Sequence, residues 1–422
     1  MRPAVAALLA ALVFGGAREA TGQPPGAFWL DVVARAASGD APPSWLDGGT
    51  GRLGLGDEEE DLHGSALGEA QLGAELRAGD RFAAHLHARA RAQSAGDAGD
   101  VAGVVEAWAE VTASPRAGAD RLRLRGGQLF LPTSRENVAP LWSSPYTLTL
   151  SALNSWIGEE VRPIGLLADY EIGLDSTRGL RAGASVFGGN DASGALLAWR
   201  GWSLGDRLST LGETLPLPAL PSLAEGGLFE KQDRDGTTPL AGDLDGRPGW
   251  AGYLRGRQSD LGLVQVTHVD NRGDRELHHG EYAWDTRFDL AAVELHPGVS
   301  WTIAGELLRG ETAMGVPTPR ADVDFHAGYL LVSWQRGALR TTGRWDRFGT
   351  HDRDRQPRGE RSDEHGHAWV AAILWQATPA LSVGGEYVDA RVEREALAGP
   401  GRRNDGGRAL TVGVRYRIGS TG

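Results

Sequence analysis

The chain contains no cysteine and a single lysine, Lys231, in 422 residues. Without thiols there are no disulfides and no thiolate metal sites, and no cysteine follows the N-terminal apolar stretch, so anchoring as a lipoprotein is excluded. Past residue 22 no run approaches the ~18 consecutive apolar residues of a membrane-crossing helix. Together with a net charge of −12 this excludes a helical membrane protein. Enzyme signatures are expected to be mostly absent, with no Gly-x-Ser-x-Gly nucleophile elbow. GRLGLG at 51–56 does not sit between a strand and a helix, as a phosphate loop must. A barrel lipase would need Ser and His on its lipid face, whereas the clear histidines, His85 and His87, alternate onto the other face. No enzymatic activity and no nucleic-acid partner are expected.

The first residues point outward from the cell interior. Arg2 supplies a positive start, residues 3–14 (PAVAALLAALVF) an apolar core, and Ala20-Thr21-Gly22 a small-x-small site before Gln23. This pattern reads as a secretory signal peptide over 1–22. Residues 23–44 are then expected to be an N-terminal periplasmic segment, with everything from 45 to 422 forming one domain. An exported chain without spanning helices has one remaining way through a membrane, the closed β-barrel, in which every backbone polar group is satisfied between strands.

The body of the sequence carries that signature. In RFAAHLHARARAQ (81–93), Phe82, Ala84, Leu86, Ala88 and Ala90 fall on one face and Arg81, His85, His87, Arg89 and Arg91 on the other. A helix would smear these arginines around its circumference; a strand separates them. Similar segments of about ten residues recur at 66–77, 104–112, 121–131, 162–172, 179–188, 195–204, 249–258, 261–270, 280–292, 299–309, 324–335, 338–347, 366–376, 380–390 and 408–418. Weaker ones lie at 45–53 and 206–214. Links between them alternate short and long, the rhythm of periplasmic turns and external loops. Counting both weak segments gives eighteen strands, which keeps that rhythm unbroken; dropping them gives about sixteen. Trp250, Trp284, Trp301, Trp345, Trp369 and Trp375 lie near segment ends and suit interfacial girdles. The expected fold is all-β: a closed transmembrane antiparallel barrel of about 16–18 strands.

At this point the sequence resembles Gram-negative outer-membrane porins, most closely the phosphate-selective type and its relatives. The resemblance rests on the leader, the alternating strands, RGGQLFLPTSRENVAPLWSSPYTLT (125–149) with its Gly-Gln-x-x-x-Pro-x-Ser core at 127–134, and the final strand ALTVGVRYRI (409–418). It implies a bacterial outer-membrane location, contact with membrane lipid and lipopolysaccharide, and trimers by analogy with the porin class. Two features depart from the pattern. Such barrels usually end on an aromatic residue, whereas Gly-Ser-Thr-Gly follows Ile418 here. Phosphate selectivity in these relatives comes from lysine-rich linings, so it does not carry over to a chain with one lysine.

In porin-like proteins the third external loop folds inward and narrows the channel, and residues 132–161 take that place. Leu141, Trp142, Tyr146, Leu148, Leu150, Leu153, Trp156 and Ile157 make the loop too apolar for free solution. The expected constriction has arginines on the wall (Arg81, Arg89, Arg121, Arg123, Arg125, Arg415, Arg417) and Glu136, Glu159 and Glu160 in the loop. Opposed in this way they would set a transverse field across a narrow pore. Ion preference stays open, because Glu69, Glu75, Glu106, Glu110, Asp285 and Asp289 are also read as inward. Asp363, His365 and His367, together with DRDG (233–236) and DLDG (243–246), are read as loop polarity and turn chemistry, and DEEED (57–61) as a solvated loop. No metal or cofactor is expected. The resulting expectation is a passive outer-membrane diffusion channel for small hydrophilic solutes; the alternative is a non-conducting barrel acting as adhesin or structural anchor through its external loops.

Overall fold

The computed structural model describes residues 26–47, 49–55, 63–93, 102–115, 120–175, 177–232, 242–316, 319–354, 361–394 and 406–420. The expected signal peptide over 1–22, the acidic run 57–61 and the DRDG segment lie outside the described residues. Sixteen strands close into one antiparallel barrel. In chain order these are β1 (Gly26–Asp40), β2 (His63–Ala78), β3 (Phe82–Gln93), β4 (Ala102–Ala113), β5 (Asp120–Gln128), β6 (Ile164–Gly173), β7 (Arg178–Gly188), β8 (Gly249–Gln258) and β9 (Gly262–Asp270). After a small hairpin, β10 (Leu277–His278) and β11 (Glu281–Tyr282), come β12 (Asp285–Leu295), β13 (Trp301–Met314), β14 (Ala321–Arg336), β15 (Leu339–Asp352), β16 (Glu364–Gln376), β17 (Leu381–Arg394) and β18 (Gly407–Ser420). Each barrel strand pairs with the next, and β1 closes on β18 from Phe28↔Ser420 to Asp40↔Arg408, leaving no open edge.

Sixteen, not eighteen, is therefore the strand number, and the difference has local causes. Residues 26–40, within the expected periplasmic segment 23–44, are the first barrel strand, with Leu30, Val32 and Ala34 alternating against Asp31, Val33 and Arg35. Residues 45–53 begin with a 3-10 turn and run inside the barrel, and 195–204 starts as a helix. Residues 206–214 form no strand, although the Leu211 amide bonds the Val104 carbonyl of β4 at 2.7 Å. All three expected strands belong to connections that fold into the lumen, where burial mimics the apolar content of a strand.

Face assignment within the strands follows the alternation, but polarity changes along the barrel axis. Toward the short turns the outward face is apolar: Val264 and Val266 on β9, Leu330 and Val332 on β14, Ile373 on β16, Val412 and Val414 on β18, all exposed. Trp301, Trp334 and Trp375 mark one border of this band, and Trp250, Trp345 and Trp369 the other. On β16 those borders are about 20 Å apart at ~3.3 Å per residue. So large a contiguous apolar surface is the lipid-facing belt of a membrane-spanning barrel. Above it, toward the long loops, the outward positions of the same strands become charged: Asp289 and Arg287 on β12, Arg309 on β13, Asp324 and His326 on β14, Arg347 on β15. The inward positions there turn apolar, with Phe288, Leu290, Leu308, Phe325 and Phe348 buried.

Two expectations fall with that inversion. Asp285 and Asp289 face outward, not inward. Trp284 is fully buried beneath the external loops against Trp199 rather than in a girdle.

Candidate channel constriction

The connection between β5 and β6, residues 129–163, folds into the lumen. Its helix α1 (Ala152–Glu160) starts at Ser151, whose hydroxyl accepts from the Asn154 amide at 3.2 Å, and ends where the Val161 amide bonds to Ile157. Leu153, Trp156 and Ile157 recur at helical spacing and are wholly buried. Trp156 packs edge-on to Phe288, with ring centres 5.3 Å apart, and against Phe325 at 5.2 Å. Here the wall presents aromatic rings inward because a helix, not water, lies against it.

Polar pins complete the docking. Arg344 of β15 reaches Glu136 at 2.7 Å, the Thr149 carbonyl at 2.7 Å and the Leu150 carbonyl at 3.0 Å, while its Nε holds Asp346 at 2.8 Å. Glu386 of β17 accepts from the Leu148 and Thr149 amides. Asn154 bridges Glu136 and Glu306 of β13. On the opposite wall Gly73 of β2 makes room for Leu141, since a Cβ there would lie 2.4 Å from the leucine Cδ2.

A second connection between β7 and β8, described over 189–232 and 242–248, fills the space beside it. Helix α2 (Ala195–Arg200) is entirely buried and stops at Gly201, whose φ of 88° suits only glycine and whose Cβ would meet Glu364. Trp202 donates its indole N–H to Gly349 at 3.1 Å. Glu364 of β16 takes the Trp202 amide and Arg52, the latter at 2.8 Å. The first connection enters as well: Leu53 bridges to Leu204 in parallel, and Trp45 stacks on Arg200.

The expected constriction residues are thus dispersed. Arg89 is buried and bound to Glu213 at 3.0 Å, locking the second connection to β3. Glu136 serves Arg344 and the helix cap. Glu159 pairs with Arg200 at 2.8 Å. Glu160 accepts from the Trp156 indole at 2.6 Å and the Leu196 amide at 2.9 Å. All three loop glutamates are internal joints, and none contacts Arg121, Arg123 or Arg125. Arg415 and Arg417 both turn to Asp31 across the seam, and Arg417 also reaches Ser143 of the loop at 2.8 Å. Arg123 bonds Asp169 at 3.1 Å and Glu171 at 2.7 Å; Arg125 bonds Glu110 at 2.7 Å and lies over Trp108. Arg81, in the β2–β3 turn, and Arg121 are exposed at the short-turn end, away from the loops.

Hydration divides these pairs into two groups. Arg344 and Glu136, which pin the loop to β15, are dry at 0% exposure, whereas Arg417, which reaches the loop from the seam, keeps 24%. The β5–β8 wall is wet: Arg125 keeps 24% of its side-chain surface, Arg181 22% and Arg257 43%. On that wall Arg181 binds Asp169 through two bonds at 2.7 and 2.8 Å, and Arg181 and Arg255 flank Tyr253. Arg255 bonds the neutral Gln265 at 2.7 Å, and the charges of Arg135, in the infolded loop, and Arg181 act against its own. The trio Arg135, Arg181 and Arg255 is where loop and wall bring like charge together. It was missed because expectation centred on strands near the barrel seam; Arg181 and Arg255 were legible as inward positions of 179–188 and 249–258.

Two sequence patterns resolve as structural. GWSLG at 201–205 has the Gly-x-Ser-x-Gly spacing of a nucleophile elbow, which sequence reasoning passed over. Its first glycine ends a helix, however, and Ser203 is buried on Glu159 at 3.2 Å rather than displayed on a strand-to-helix turn. Asp363 bonds His351 at 2.8 Å, while His365 and His367 point outward from β16.

No protein-family model matches the chain, and no curated protein sequence matches it. Solved structures do. Residues over 93% of this chain superpose on 97% of OmpF of Salmonella typhi, determined in complex with daunomycin, with a TM-score of 0.54 at 12% identity. The outer-membrane channel DcaP of Acinetobacter baumannii matches over 95% of this chain and 100% of its own, with a TM-score of 0.51 at 10% identity. OmpT, an outer-membrane protein of Vibrio cholerae, matches in its trimer form over 94% and 100%, with a TM-score of 0.52 at 10% identity. At these identities the likeness is one of fold.

Proposed function

We propose that the barrel is a passive diffusion channel of the Gram-negative outer membrane for small hydrophilic solutes, with its path along the wet wall of β5–β8 beside the infolded loop. The observation that carries this reading is the contrast in hydration. A barrel serving only as an anchor has no use for charged pairs left partly wetted on its inner wall, as on β5–β8 and again at the β1–β18 seam, beside loop pins that are packed dry.

In this reading Arg123, Arg125, Arg181 and Arg257, each facing Glu110, Asp169 or Glu171, offer a passing polar solute donors and acceptors in place of water. An apolar solute finds no such replacement and would separate the pairs. Because Asp169 is shared by Arg123 and Arg181, and Arg255 bonds only the neutral Gln265, arginines outnumber carboxylates on this wall, and Arg135 adds to that excess. Anions are favoured over cations by that excess. The chain adds no reaction to this passage. Homotrimeric assembly belongs to the proposal, by analogy with the trimer form of the Vibrio cholerae protein.

Single-channel recording of the refolded chain in planar bilayers tests the proposal. Stepwise ion currents with a reversal potential on the anion side are expected, and Arg255→Gln should move that potential toward cations. A barrel that inserts yet passes no current at any salt concentration overturns the reading. It would favour the anchor alternative, to which the dense packing of three connections in the lumen lends weight.

A further inference from the structure

The β7–β8 connection leaves the wall and returns to it through a cluster of three carboxylates. Asp191 follows β7 directly, and Asp243 and Asp245 lie just ahead of β8. One carboxylate oxygen from each lies within 4.8 Å of the others, although 52 residues separate Asp191 from Asp243. Among the described residues none of the three forms an ion pair with Arg, Lys or His. Three like charges converging this way would repel one another unless something else were bound among them.

The backbone holds the cluster in this shape. Asp191 Oδ2 accepts from the Leu244 amide at 2.6 Å and the Asp245 amide at 3.3 Å. Asp243 Oδ1 accepts from Gly246 at 2.7 Å. Asp245 Oδ1 accepts from Arg247 at 2.7 Å, and its Oδ2 from Asp274 of the next connection at 2.8 Å. The Asp191 carbonyl takes the Trp284 amide at 2.8 Å. Independently of the cluster, Asp191 is 0% exposed and its Oδ1 has no hydrogen-bond donor among the described residues. A buried carboxylate oxygen with no donor is costly in a folded chain and points to a missing positive partner.

We propose that Asp191, Asp243 and Asp245 form a divalent-cation site, of the hard, oxygen-ligated type that suits Ca²⁺, which clasps the two ends of the β7–β8 connection. The donor set is all oxygen, with no imidazole or thiolate, as a hard cation requires. The DLDG segment supplies the alternating Asp-x-Asp-Gly start of a calcium loop, with Gly246 at a φ of 71° making the turn. The ligand missing from that local motif arrives from Asp191, at the far end of the connection. Because the segment that fills the lumen, with Trp199 and Trp202, lies between these ends, a bound ion would hold that segment in place. Through Asp274 and Trp284 it would also tie in the β9–β12 connection. The site is independent of whether the barrel conducts.

The test uses the full chain refolded in detergent without lipopolysaccharide and stripped of metal with EGTA. Tb³⁺ is the probe, excited through tryptophan, with Ca²⁺ as competitor. The wild type should show one Tb³⁺ site displaced by Ca²⁺, and Ca²⁺ should slow proteolysis within 189–248. Asp243→Asn should weaken binding by about tenfold or more and abolish the protection. Asp243 is exposed and asparagine keeps the acceptor for Gly246, so the turn survives; Asp245→Asn is the second variant. Absence of Ca²⁺-displaceable luminescence in the wild type, or equal titrations of wild type and both variants, overturns the site. So does a wild type whose protease resistance ignores Ca²⁺ while Asp243→Asn is more resistant in EGTA, since relief of repulsion alone would then describe the cluster.

Discussion

Replacing Arg344 with methionine should release the infolded loop while leaving the barrel standing. The guanidinium is wholly buried and spends its donors on Glu136, Asp346, the carbonyls of Thr149 and Leu150, and the hydroxyl of Thr147. Arg344→Met removes the cation but leaves two carboxylates in the same dry space, so the cost is that of unpaired buried charge, about 3–5 kcal/mol. At 1.4 kcal/mol per decade the equilibrium constant for docking the loop falls by roughly 10² to 10⁴. The backbone bonds of β15 to β14 and β16 do not involve the side chain, so strand content is preserved. Limited proteolysis should then cut within 129–163, where the wild type resists, and single-channel conductance should rise and become noisier. Replacing the charged group together, as Glu136→Gln, Arg344→Met and Asp346→Leu, should restore much of the docking, because no buried charge is then left alone. A single variant with wild-type protease resistance and wild-type conductance would refute the claim that this arginine holds the loop.

Other positions separate the barrel's surfaces. Ile373→Arg, between Trp369 and Trp375 on the outward face of β16, should cost about 2–4 kcal/mol in urea-driven unfolding from lipid vesicles, whereas Asp289→Arg, above the belt, should cost little; similar losses for both would remove the proposed belt. Gly73→Leu occupies the seat of Leu141 and should shift the loop, read as faster proteolysis within 129–163, with no such change for Gly79→Leu in the turn if that variant still folds. Arg181→Gln, measured beside Arg255→Gln, should also move reversal potential toward cations, and unchanged values for both would discard the trio as the selectivity element.

The sequence by itself determined the class of fold and most of its wall. A period of two fixes which side chains share a face, and the contrast between short and long links fixes which ends meet; both are local properties, written in consecutive residues. The segments 249–258 and 66–77, for instance, stand as barrel strands where the alternation put them. The β5–β6 connection likewise carries, in consecutive residues, an apolar content that free solution would not tolerate. What the sequence did not determine is where that loop lands and what faces it. A buried strand, a buried helix and a buried irregular segment have the same composition, so 195–204 read as wall although it is a helix. Likewise, inward and outward are interchangeable labels once the interior is as dry as the lipid: only the docked loops decide that Phe288 points in and Asp289 out. The same holds for charge. An arginine on a strand is a wetted lining, a loop pin or a seam contact according to which carboxylate lies within 3–4 Å, and that partner is set by contacts between residues far apart in the chain.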